Sequence, residues 1–393
     1  MDRNAAGQPV AQLAQLPRMR HTATRTRILF LIDYALSTGG AERLAVGLAS
    51  HLPQDRFEPW MCVTRKSDPG ASSALADAGV RHLTLGRTTK WDVHRLGHLA
   101  RVLRAQRFDI LHTHKFGSNL WGTLIGSACG IPVIVAHEHS WSYEGNPPRA
   151  WLDGNVIGRL ATRFVAVSRA DAHRMVSKEG VSAGKVTVIP NGYIPSQRSS
   201  DHDVRAELGL DAKVPLIGIA AVLRPEKRID LLLAAHARVR SVLPEAQLVI
   251  AGDGECRPAL ERQARDLRLD GAVHFLGART DVDSVLRAAD VGALSSDREG
   301  SPLLVFECMA NETPLVATAI GGVPDVVEHG RTGLLVPRRD PEALAHGLIS
   351  LLTDPERRTR MAAAAKDALR GYTIDATAAR FGALYDTLVP AGR

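Results

Sequence analysis

The chain has 393 residues, of which 45% are hydrophobic and 23% are charged, and its formal net charge is +7. This composition is that of an ordinary globular enzyme and excludes a disordered chain, while the length suits two domains of common size. The positive charge predicts attraction to an anionic partner, which nucleic acid, acidic lipid or a phosphorylated substrate would each satisfy.

The first 24 residues are polar and contain arginines, without the apolar stretch of a signal peptide, and nothing downstream resembles a membrane-spanning run. We predict a flexible tail over residues 1–24. The four cysteines are widely spaced and form no Cys-x-x-Cys pair. This spacing fits a reducing compartment and gives no zinc motif, so the sequence predicts a cytoplasmic protein.

The first strong strand is predicted over residues 27–33, a continuous apolar run typical of a parallel sheet that is buried on both faces. A Ser-Thr-Gly-Gly turn follows, and apolar residues then recur at helical spacing. Gly39 and Gly40 in this turn allow close backbone approach at a helix N-terminus, which makes them candidate substrate contacts. Alternating strands and helices predict a doubly wound α/β domain over residues 25–190. Its further strands are predicted over residues 59–64, 110–112, 133–136, 164–167 and 186–189.

Basic residues are concentrated between Arg81 and Arg107, where seven lysines and arginines stand against one acid, Asp92. Two interpretations stay open: a surface helix with solvated cations, or a patch that binds an anionic membrane surface reversibly. Much of the segment is predicted to be helical, with an apolar stripe formed by Val93, Leu96, Ala100 and Leu103.

A turn-rich stretch over residues 191–212 is the predicted linker. The strand pattern then restarts and predicts a second Rossmann-like domain over residues 213–370. A C-terminal helix over residues 371–393 is expected to pack back on the first domain. Two such halves would leave a ligand-binding cleft between their strand ends. The strands of the second domain are predicted over residues 216–223, 247–251, 273–276, 291–295, 314–317 and 333–336.

Residues 297–307 leave a predicted strand and enter a helix. Ser301 is predicted as the N-cap and Pro302 as the first helical residue, where its missing N–H costs nothing. The amides of Leu303 and Leu304 would then point from the positive end of the helix towards a bound diphosphate.

Two carboxylates flank this predicted phosphate site. Glu307 lies one turn into the helix, and Glu299 lies on the loop that precedes it. With the Gly-Ser-Pro between them, they resemble the paired glutamates of retaining glycosyltransferase family 4, which adopts the GT-B fold, two Rossmann-like domains facing each other across a cleft. Other motifs carry the resemblance over most of the chain through their order: Gly39-Gly40-Ala-Glu-Arg43, His137-Glu-His139, Pro190-Asn-Gly192, Leu223-Arg-Pro-Glu-Lys227, Gly252-Asp-Gly254, Phe275-Leu-Gly277 and Gly321-Gly-Val-Pro324.

The resemblance implies transfer of a sugar, with retention, from a UDP- or GDP-sugar to a hydroxyl acceptor in the synthesis of envelope polysaccharide, exopolysaccharide or glycolipid. Glu299 would hydrogen-bond hydroxyls of the donor sugar, and Glu307 would hydrogen-bond the ribose. Arg224 and Lys227 would neutralise the leaving diphosphate, with Ser301 and the helix end beside it. The family's arginine commonly stands five residues before the lysine, where this chain has Val222.

His139 is implied as the active-site histidine. His137 stays open as an alternative, because the spacing from Pro132 differs by one residue from the commonest form. The family reaction is pictured as front-face, with a donor phosphate oxygen taking the acceptor proton, so no double-displacement nucleophile is nominated. No metal or other cofactor is expected: Asp281 and Asp283 resemble the metal-binding aspartates of another glycosyltransferase fold, but they open a predicted helix.

Three other functions are alternatives to glycosyl transfer. A nicotinamide oxidoreductase is disfavoured because Gly252-Asp-Gly254 is followed by Arg257 where the third glycine of the fingerprint would stand. A nucleic-acid-binding protein is disfavoured because aromatic residues are only 5% and no recognition motif occurs. A sugar-nucleotide epimerase of the same fold stays open. The resemblance implies soluble acceptors as well as lipid-linked ones, and a lipid-linked one would place the enzyme peripherally on the inner face of the cell membrane.

Overall fold

The computed structural model describes residues 25–37, 39–89, 92–139, 146–195 and 202–389. The predicted tail and residues 196–201 of the predicted linker lie outside this range. The chain divides into two compact units: Met1–Ile194 together with Ile374–Arg393, and Pro195–Thr373. Among the residues that the structure describes, no helix is both long enough and apolar enough to cross a membrane.

The first unit is built on a parallel sheet of seven strands. These are β1 (Thr26–Ala35), β2 (Phe57–Ser67), β3 (Arg81–Thr84), β4 (Ile110–His114), β5 (Val133–Glu138), β6 (Arg163–Ala166) and β7 (Val186–Val188). Their order is β3-β2-β1-β4-β5-β6-β7, and every pairing is parallel. The direction of winding therefore reverses between β1 and β4, the position where doubly wound sheets bind ligands at their carboxyl ends.

Helices cover both faces of this sheet. They are α1 (Gly40–His51), α2 (Pro69–Asp77), α3 (Leu96–Gln106), α4 (Lys115–Ala128), α5 (Pro147–Leu152), α6 (Gly158–Leu160) and α7 (Arg169–Ser177). Alternate residues of β1 face opposite sides, as the pleat requires. Phe30 packs in one apolar cluster and Leu29 and Leu31 in another, and all three are fully buried. The predicted burial of β1 on both faces is thus confirmed.

The basic segment is less helical than predicted. It contains the edge strand β3, a 3₁₀ turn over Val93–Arg95 and α3, while Lys90 lies outside the described residues. The short β3 was missed because only Leu83 among its four residues is buried. The predicted stripe was also wrong in part, because Ala100 is only partly buried. The fully buried face of α3 comprises Leu96, Leu99, Val102, Leu103 and Gln106.

The second unit repeats the architecture with six parallel strands. They are β8 (Leu216–Ala220), β9 (Gln247–Ala251), β10 (Val273–Gly277), β11 (Val291–Leu294), β12 (Leu315–Thr318) and β13 (Leu334–Val336). Their order, β10-β9-β8-β11-β12-β13, reverses between β8 and β11. The helices are α8 (Val204–Glu207), α9 (Ile229–Val242), α10 (Arg257–Asp266), α11 (Val282–Ala288), α12 (Leu303–Ala310), α13 (Val323–Val326), α14 (Pro341–Leu352) and α15 (Pro355–Ala368).

The last helix, α16 (Ile374–Leu388), belongs to the first unit and packs on α1. Phe381 and Tyr385 of α16 are fully buried, and Tyr385 makes an edge contact with Phe57. The Tyr193 carbonyl accepts a hydrogen bond from the Ile374 amide at 2.9 Å, where the chain returns to this unit.

Candidate active site

Three polar side chains meet where the strand order of the second unit reverses. Lys227 ends a 3₁₀ turn (Pro225–Lys227) after β8, and Glu299 lies on the loop after β11. The Lys227 ammonium donates to Glu299 Oε1 at 2.7 Å, and the Ser296 hydroxyl donates to the same oxygen at 2.6 Å. The Glu299 side chain is only 9% exposed. A cation and an anion are therefore held together at the sheet edge that binds ligands in doubly wound folds.

Hydrogen bonds to backbone carbonyls join the two loops to each other. The Ser295 hydroxyl donates to the Lys227 carbonyl at 2.9 Å, and the Asp297 amide donates to the Glu226 carbonyl at 2.8 Å. Sequence analysis predicted Lys227 and Glu299 but missed Ser295 and Ser296. Ser295 ends a predicted strand and Ser296 follows it directly, and this position was their only signal.

Asp297 anchors a second set of charges beside this cluster. Arg228 donates to its carboxylate at 3.0 Å, and Arg339 lies at 3.0 Å as well. Partial burial raises the pKa of Asp297, but hydrogen bonds from Arg339 and Arg228 outweigh this and bring the pKa below its ordinary value. Arg228 also pairs with Asp230 at 2.8 Å. Asp297 is therefore an anion at neutral pH, committed to two arginines rather than to a ligand.

The loop that carries Glu299 rests on a glycine turn. A Cβ at Gly321 would stand 1.6 Å from the Glu299 carbonyl oxygen, and Gly321 has φ of +50°, so both the contact and the conformation require glycine. The Gly322 amide donates to the Gly300 carbonyl at 2.9 Å. The Gly321-Gly-Val-Pro324 motif thus packs against the backbone at Glu299 and Gly300 and fixes the position of this loop.

The helix after this loop begins one residue later than predicted. Pro302 is the N-cap of α12, with extended backbone angles of −70° and 127°, and no side chain caps the helix. Ser301 is therefore not the N-cap, because the extended proline is the last residue outside the helix. The partly buried Leu303 and buried Leu304 occupy the first two helical positions. An uncapped helix start keeps its amide dipoles available to an anion.

The remaining predicted residues of the second unit differ in environment. Glu307 is buried within α12, whereas Arg224 is exposed at the start of the 3₁₀ turn. Asp281 precedes α11 and pairs with Arg279 at 2.7 Å, and Asp283 accepts a hydrogen bond from Asn311 at 2.7 Å. Both aspartates make side-chain contacts at the start of α11, in agreement with the prediction that they begin a helix.

In the first unit, the predicted histidines His137 and His139 lie at the carboxyl end of β5, beside His112 and His114 of β4, which were not predicted as site residues. His139 Nε2 lies 2.9 Å from His114 Nδ1, and the His139 amide donates to Glu138 Oε1 at 3.1 Å. His139 is 7% exposed, whereas His137 and His114 are inaccessible to solvent. Burial lowers the pKa of His139 well below its ordinary value, with neighbouring histidines and Lys115 adding to the effect, and burial lowers that of His114 to about 3. These imidazoles are therefore neutral at physiological pH.

The predicted glycine turn opens α1, with Gly39 as its N-cap and Gly40 exposed as its first residue. A Cβ at Gly39 would stand 2.2 Å from Glu42 Oε2, and the same carboxylate pairs with Lys115 at 2.8 Å. The N-terminus of α1 thus already faces a buried carboxylate of its own first turn. Sequence analysis missed this pair because its members are distant in the chain.

Comparison with known proteins agrees with this architecture. Residues 38–197 match the family model described as Glycosyltransferase Family 4, and residues 200–368 match the one described as Glycosyl transferases group 1. The D-inositol 3-phosphate glycosyltransferase of Xylanimonas cellulosilytica is 32% identical over 318 residues, which make up 71% of this chain and 73% of the relative. This chain belongs to glycosyltransferase family 4.

Other similar proteins are named for different substrates. The Escherichia coli UDP-Gal:alpha-D-GlcNAc-diphosphoundecaprenol alpha-1,3-galactosyltransferase is 25% identical over 335 residues, covering 80% of this chain and 85% of the relative. Anabaena HepE, solved in complex with UDP-glucose, is 22% identical with a TM-score of 0.81, covering 92% of this chain and 100% of HepE. The predicted GT-B class is confirmed by this similarity, and membership of the family decides for glycosyl transfer over the epimerase and oxidoreductase alternatives.

Proposed function

We propose that this glycosyltransferase moves a sugar from a UDP-sugar to a hydroxyl of a lipid-linked acceptor, with retention at the anomeric carbon. The observation that carries the proposal is the cluster of Lys227, Glu299 and Ser296 at the switch point of the second unit. Lys227 supplies a cation for a diphosphate, and Glu299, in contact with it, supplies a carboxylate for sugar hydroxyls. Uridine is preferred over guanosine because HepE was solved with UDP-glucose and the E. coli relative is named for UDP-Gal.

Charge on the leaving diphosphate is neutralised by Lys227, by Arg224 and by the amides of Leu303 and Leu304. Lys227 is paired with Glu299 at 2.7 Å, so an incoming phosphate must share or replace that partner. Charge-assisted hydrogen bonds of this kind contribute about 1.5–3 kcal/mol each. Arg224 is exposed and free to swing towards the phosphates, which compensates for valine at the position where the family commonly has its arginine.

The acceptor oxygen bonds the anomeric carbon on the face from which the diphosphate departs, and the acceptor proton passes to the departing phosphate oxygen. Glu299 accepts hydrogen bonds from donor-sugar hydroxyls and stabilises the positive charge that develops on the sugar. Glu307 binds the ribose, and Ser301 lies beside the phosphates. In the first unit, His139 is the active-site histidine in preference to His137, because only His139 is partly accessible to solvent. Gly39 and Gly40 contribute backbone contacts to substrate.

A lipid-linked acceptor is favoured by two observations. The E. coli relative is named for an undecaprenol-diphosphate sugar. Arg101, Arg104 and Arg107 are exposed in and directly after α3, which suits an anionic membrane surface. We therefore expect the enzyme at the cytoplasmic face of the membrane, where nucleotide sugars are available.

Product analysis tests this function. The purified enzyme is incubated with UDP- and GDP-sugars, alone and with a polyprenyl-diphosphate sugar or D-inositol 3-phosphate, and products are identified by mass spectrometry and by the anomeric configuration in NMR. The expected result is an α-linked product from an α-configured UDP-sugar with the polyprenyl acceptor only. Isomerised donor without acceptor would overturn the proposal, and turnover of the inositol phosphate alone would move the acceptor to a soluble class.

Transfer is expected to need no divalent metal, because Lys227, Arg224 and the α12 helix end supply the charge that magnesium supplies elsewhere. The initial rate should be unchanged, within about a factor of two, when EDTA replaces magnesium in the assay. A loss of turnover in EDTA that manganese restores would contradict this and would direct attention to Asp281 and Asp283.

A further inference from the structure

Four histidines form one buried cluster in the first unit, which we call the histidine cluster: His112, His114, His137 and His139. His112 and His114 alternate along β4, and His137 and His139 do so at the end of β5. His114 is directly paired with His137 in the parallel register. Residues two apart on a strand face the same side, so all four imidazoles project from one face of the sheet. Their ring centroids lie 4.1–5.4 Å from one another in successive pairs.

Helix α16 covers this cluster. The Phe381 ring centroid lies 5.1 Å from that of His112 and 5.3 Å from that of His137. The Tyr385 hydroxyl and His112 Nδ1 are hydrogen-bonded at 2.7 Å, and His114 Nδ1 is hydrogen-bonded to His139 Nε2 at 2.9 Å. Two histidines of β4 are therefore oriented through their Nδ1 atoms, which leaves both Nε2 atoms for another partner.

Those remaining nitrogens have no protein partner within the described residues. Across the histidine cluster they are His112 Nε2, His114 Nε2, both ring nitrogens of His137 and His139 Nδ1. A buried polar atom without a partner costs about 1–3 kcal/mol. One such atom is tolerable, as at Nδ1 of the buried His236 in the second unit. Five in one cluster indicate a ligand, because their combined cost approaches the total stability of a domain.

We propose that His112, His114 and His137 bind a divalent transition-metal ion of the zinc class. One ring nitrogen from each of them lies within 4.8 Å of the other two. The donors are all imidazole nitrogens, which suit zinc, copper, nickel or iron, whereas magnesium and calcium prefer oxygen. At the widest separation an ion at the centre would lie about 2.8 Å from each nitrogen, so a shift of about 0.7 Å per ring gives the usual zinc–nitrogen distance of about 2.0–2.1 Å.

The surroundings resemble those of known metal sites. Ligating histidines usually hydrogen-bond through their other nitrogen to a group that fixes the ring, and here Tyr385 and His139 occupy those positions. Three imidazoles leave the fourth tetrahedral position for water or hydroxide, and the negative charge of a hydroxide would offset part of the cost of burying a dication. The ion would connect β4 to β5 beneath α16 and would stabilise the first unit. It is distinct from any metal on the donor diphosphate.

Metal binding to the full chain tests the proposal. The protein is purified without a polyhistidine tag, stripped with a chelator and titrated with Zn²⁺ against a competing chromophoric chelator. Co²⁺ is added separately as a spectroscopic probe of tetrahedral nitrogen ligation. We expect one Zn²⁺ per chain and a rise in the unfolding temperature seen by tryptophan fluorescence, because all five tryptophans lie in residues 60–151 of the first unit.

Variants identify the ligands. His137→Asn should abolish stoichiometric Zn²⁺ binding, and Tyr385→Phe, which retains the ring, should weaken it by about 10–100-fold, as loss of a group that orients a ligand typically does. His236→Asn removes a buried histidine elsewhere and should bind as wild type does. A wild-type titration without saturable binding overturns the proposal whether or not the variants fold. Equal binding by wild type and His137→Asn overturns it as well.

Discussion

Lys227 and Glu299 compensate each other's charge in a largely buried contact, although 72 positions separate them in the chain. Removing either charge leaves the other buried and unpaired, which is more costly than the pair itself is worth. Truncation to alanine would therefore confuse folding with catalysis. Amide substitutions also remove the negative charge, but they keep the shape of the carboxylate and are therefore the better probe of the acidic residues.

Glu299→Gln and Glu307→Gln should fail in different ways. If Glu299 stabilises charge that develops at the anomeric carbon, its loss should lower kcat by roughly two orders of magnitude or more. If Glu307 binds ribose equally in the ground and transition states, its loss should mainly raise the donor KM. Steady-state kinetics with the exposed Glu245→Gln as a control measures both, and wild-type kinetics in the two active-site variants would remove the assignment.

His236 predicts a pH dependence of stability in the second unit. It is buried in α9, and its Nε2 lies 3.2 Å from the Ala272 carbonyl. Burial lowers its pKa to about 4, and Arg240 and His274 add to the effect. Below pH 6.5, His236 is protonated in the unfolded chain but stays neutral in the folded chain. The free energy of unfolding therefore falls by about 1.4 kcal/mol per pH unit until about pH 4.

His236→Gln removes this titration. The difference in free energy of unfolding between variant and wild type should be constant above about pH 7, and it should shift in favour of the variant as the pH falls from 6.5 towards 4. Urea unfolding followed by circular dichroism measures it. The exposed His346→Gln serves as the control and should keep the wild-type slope. A difference that does not change with pH would contradict the prediction.

At the level of single residues, the sequence allowed the chemistry to be predicted but not its pairing. Glu299 and Lys227 were identified as candidates from the motifs around them, yet their mutual contact depends on the order of β8 and β11 in the sheet. The histidine cluster shows the same limit. Tyr385 lies 273 positions after His112, and no local pattern connects them.

Among the elements, α3 and the residue after it carry three exposed arginines of the predicted basic segment. Arg101, Arg104 and Arg107 are exposed, whereas Arg95 donates to the Leu85 carbonyl at 2.9 Å and Arg87 is buried. Arg81 is exposed too, but its guanidinium lies over the Trp60 ring at 5.0 Å. The surface that α3 offers to a membrane is therefore a triplet of arginines spaced by three residues. Each contributes about 1 kcal/mol near an anionic bilayer, so the three together give reversible binding.

Changing Arg101, Arg104 and Arg107 to glutamine should abolish co-sedimentation with anionic liposomes at low salt. The chain provides a matched control in Arg262, Arg265 and Arg268, which are exposed with the same spacing. The last residue of each triplet has a left-handed backbone conformation. High salt should release the wild type, because the attraction is screened over about 8 Å at physiological ionic strength. Equal binding by both triple variants, or none by wild type, would favour a solvated surface helix.

Strands were predicted better than helix boundaries, for a physical reason. Central strands such as β1 and β9 are continuous apolar runs, whereas β3 is a short edge strand with one buried residue. The start of α12 was misplaced by one residue because Pro302 can serve either as a helical residue or as an extended cap. Its actual angles depend on the loop that Gly321 supports.

On the scale of the whole molecule, the two units differ in whether one continuous segment of sequence forms them. The second unit is one stretch of chain, Pro195–Thr373, but the first needs α16 from beyond it. Ile374, Ala378, Phe381 and Tyr385 are buried in that helix. Each large side chain among them contributes about 1.5–3 kcal/mol on burial, so α16 supplies a substantial share of the stability expected of one domain.

A chain that ends after Thr373 should therefore lose the first unit and keep the second. We expect a red shift of tryptophan emission, since every tryptophan is in the first unit, together with partial retention of the far-ultraviolet circular dichroism signal. A chain that ends after Val389 serves as the control and should match the full protein. Unchanged emission after the shorter truncation would show that α16 is dispensable.

This discontinuity also sets an order of events on the ribosome. Residues 25–194 emerge first, but the part of their sheet that α16 covers stays open until residues 374–388 have followed the entire second unit out of the exit tunnel. At about 5–20 residues per second, that interval lasts about 10–40 s. The second unit can fold within it while the histidines at the ends of β4 and β5 are still open to water. A nascent chain would thus complete its later half before its earlier one, and any ion bound by those histidines could enter before α16 closes over them.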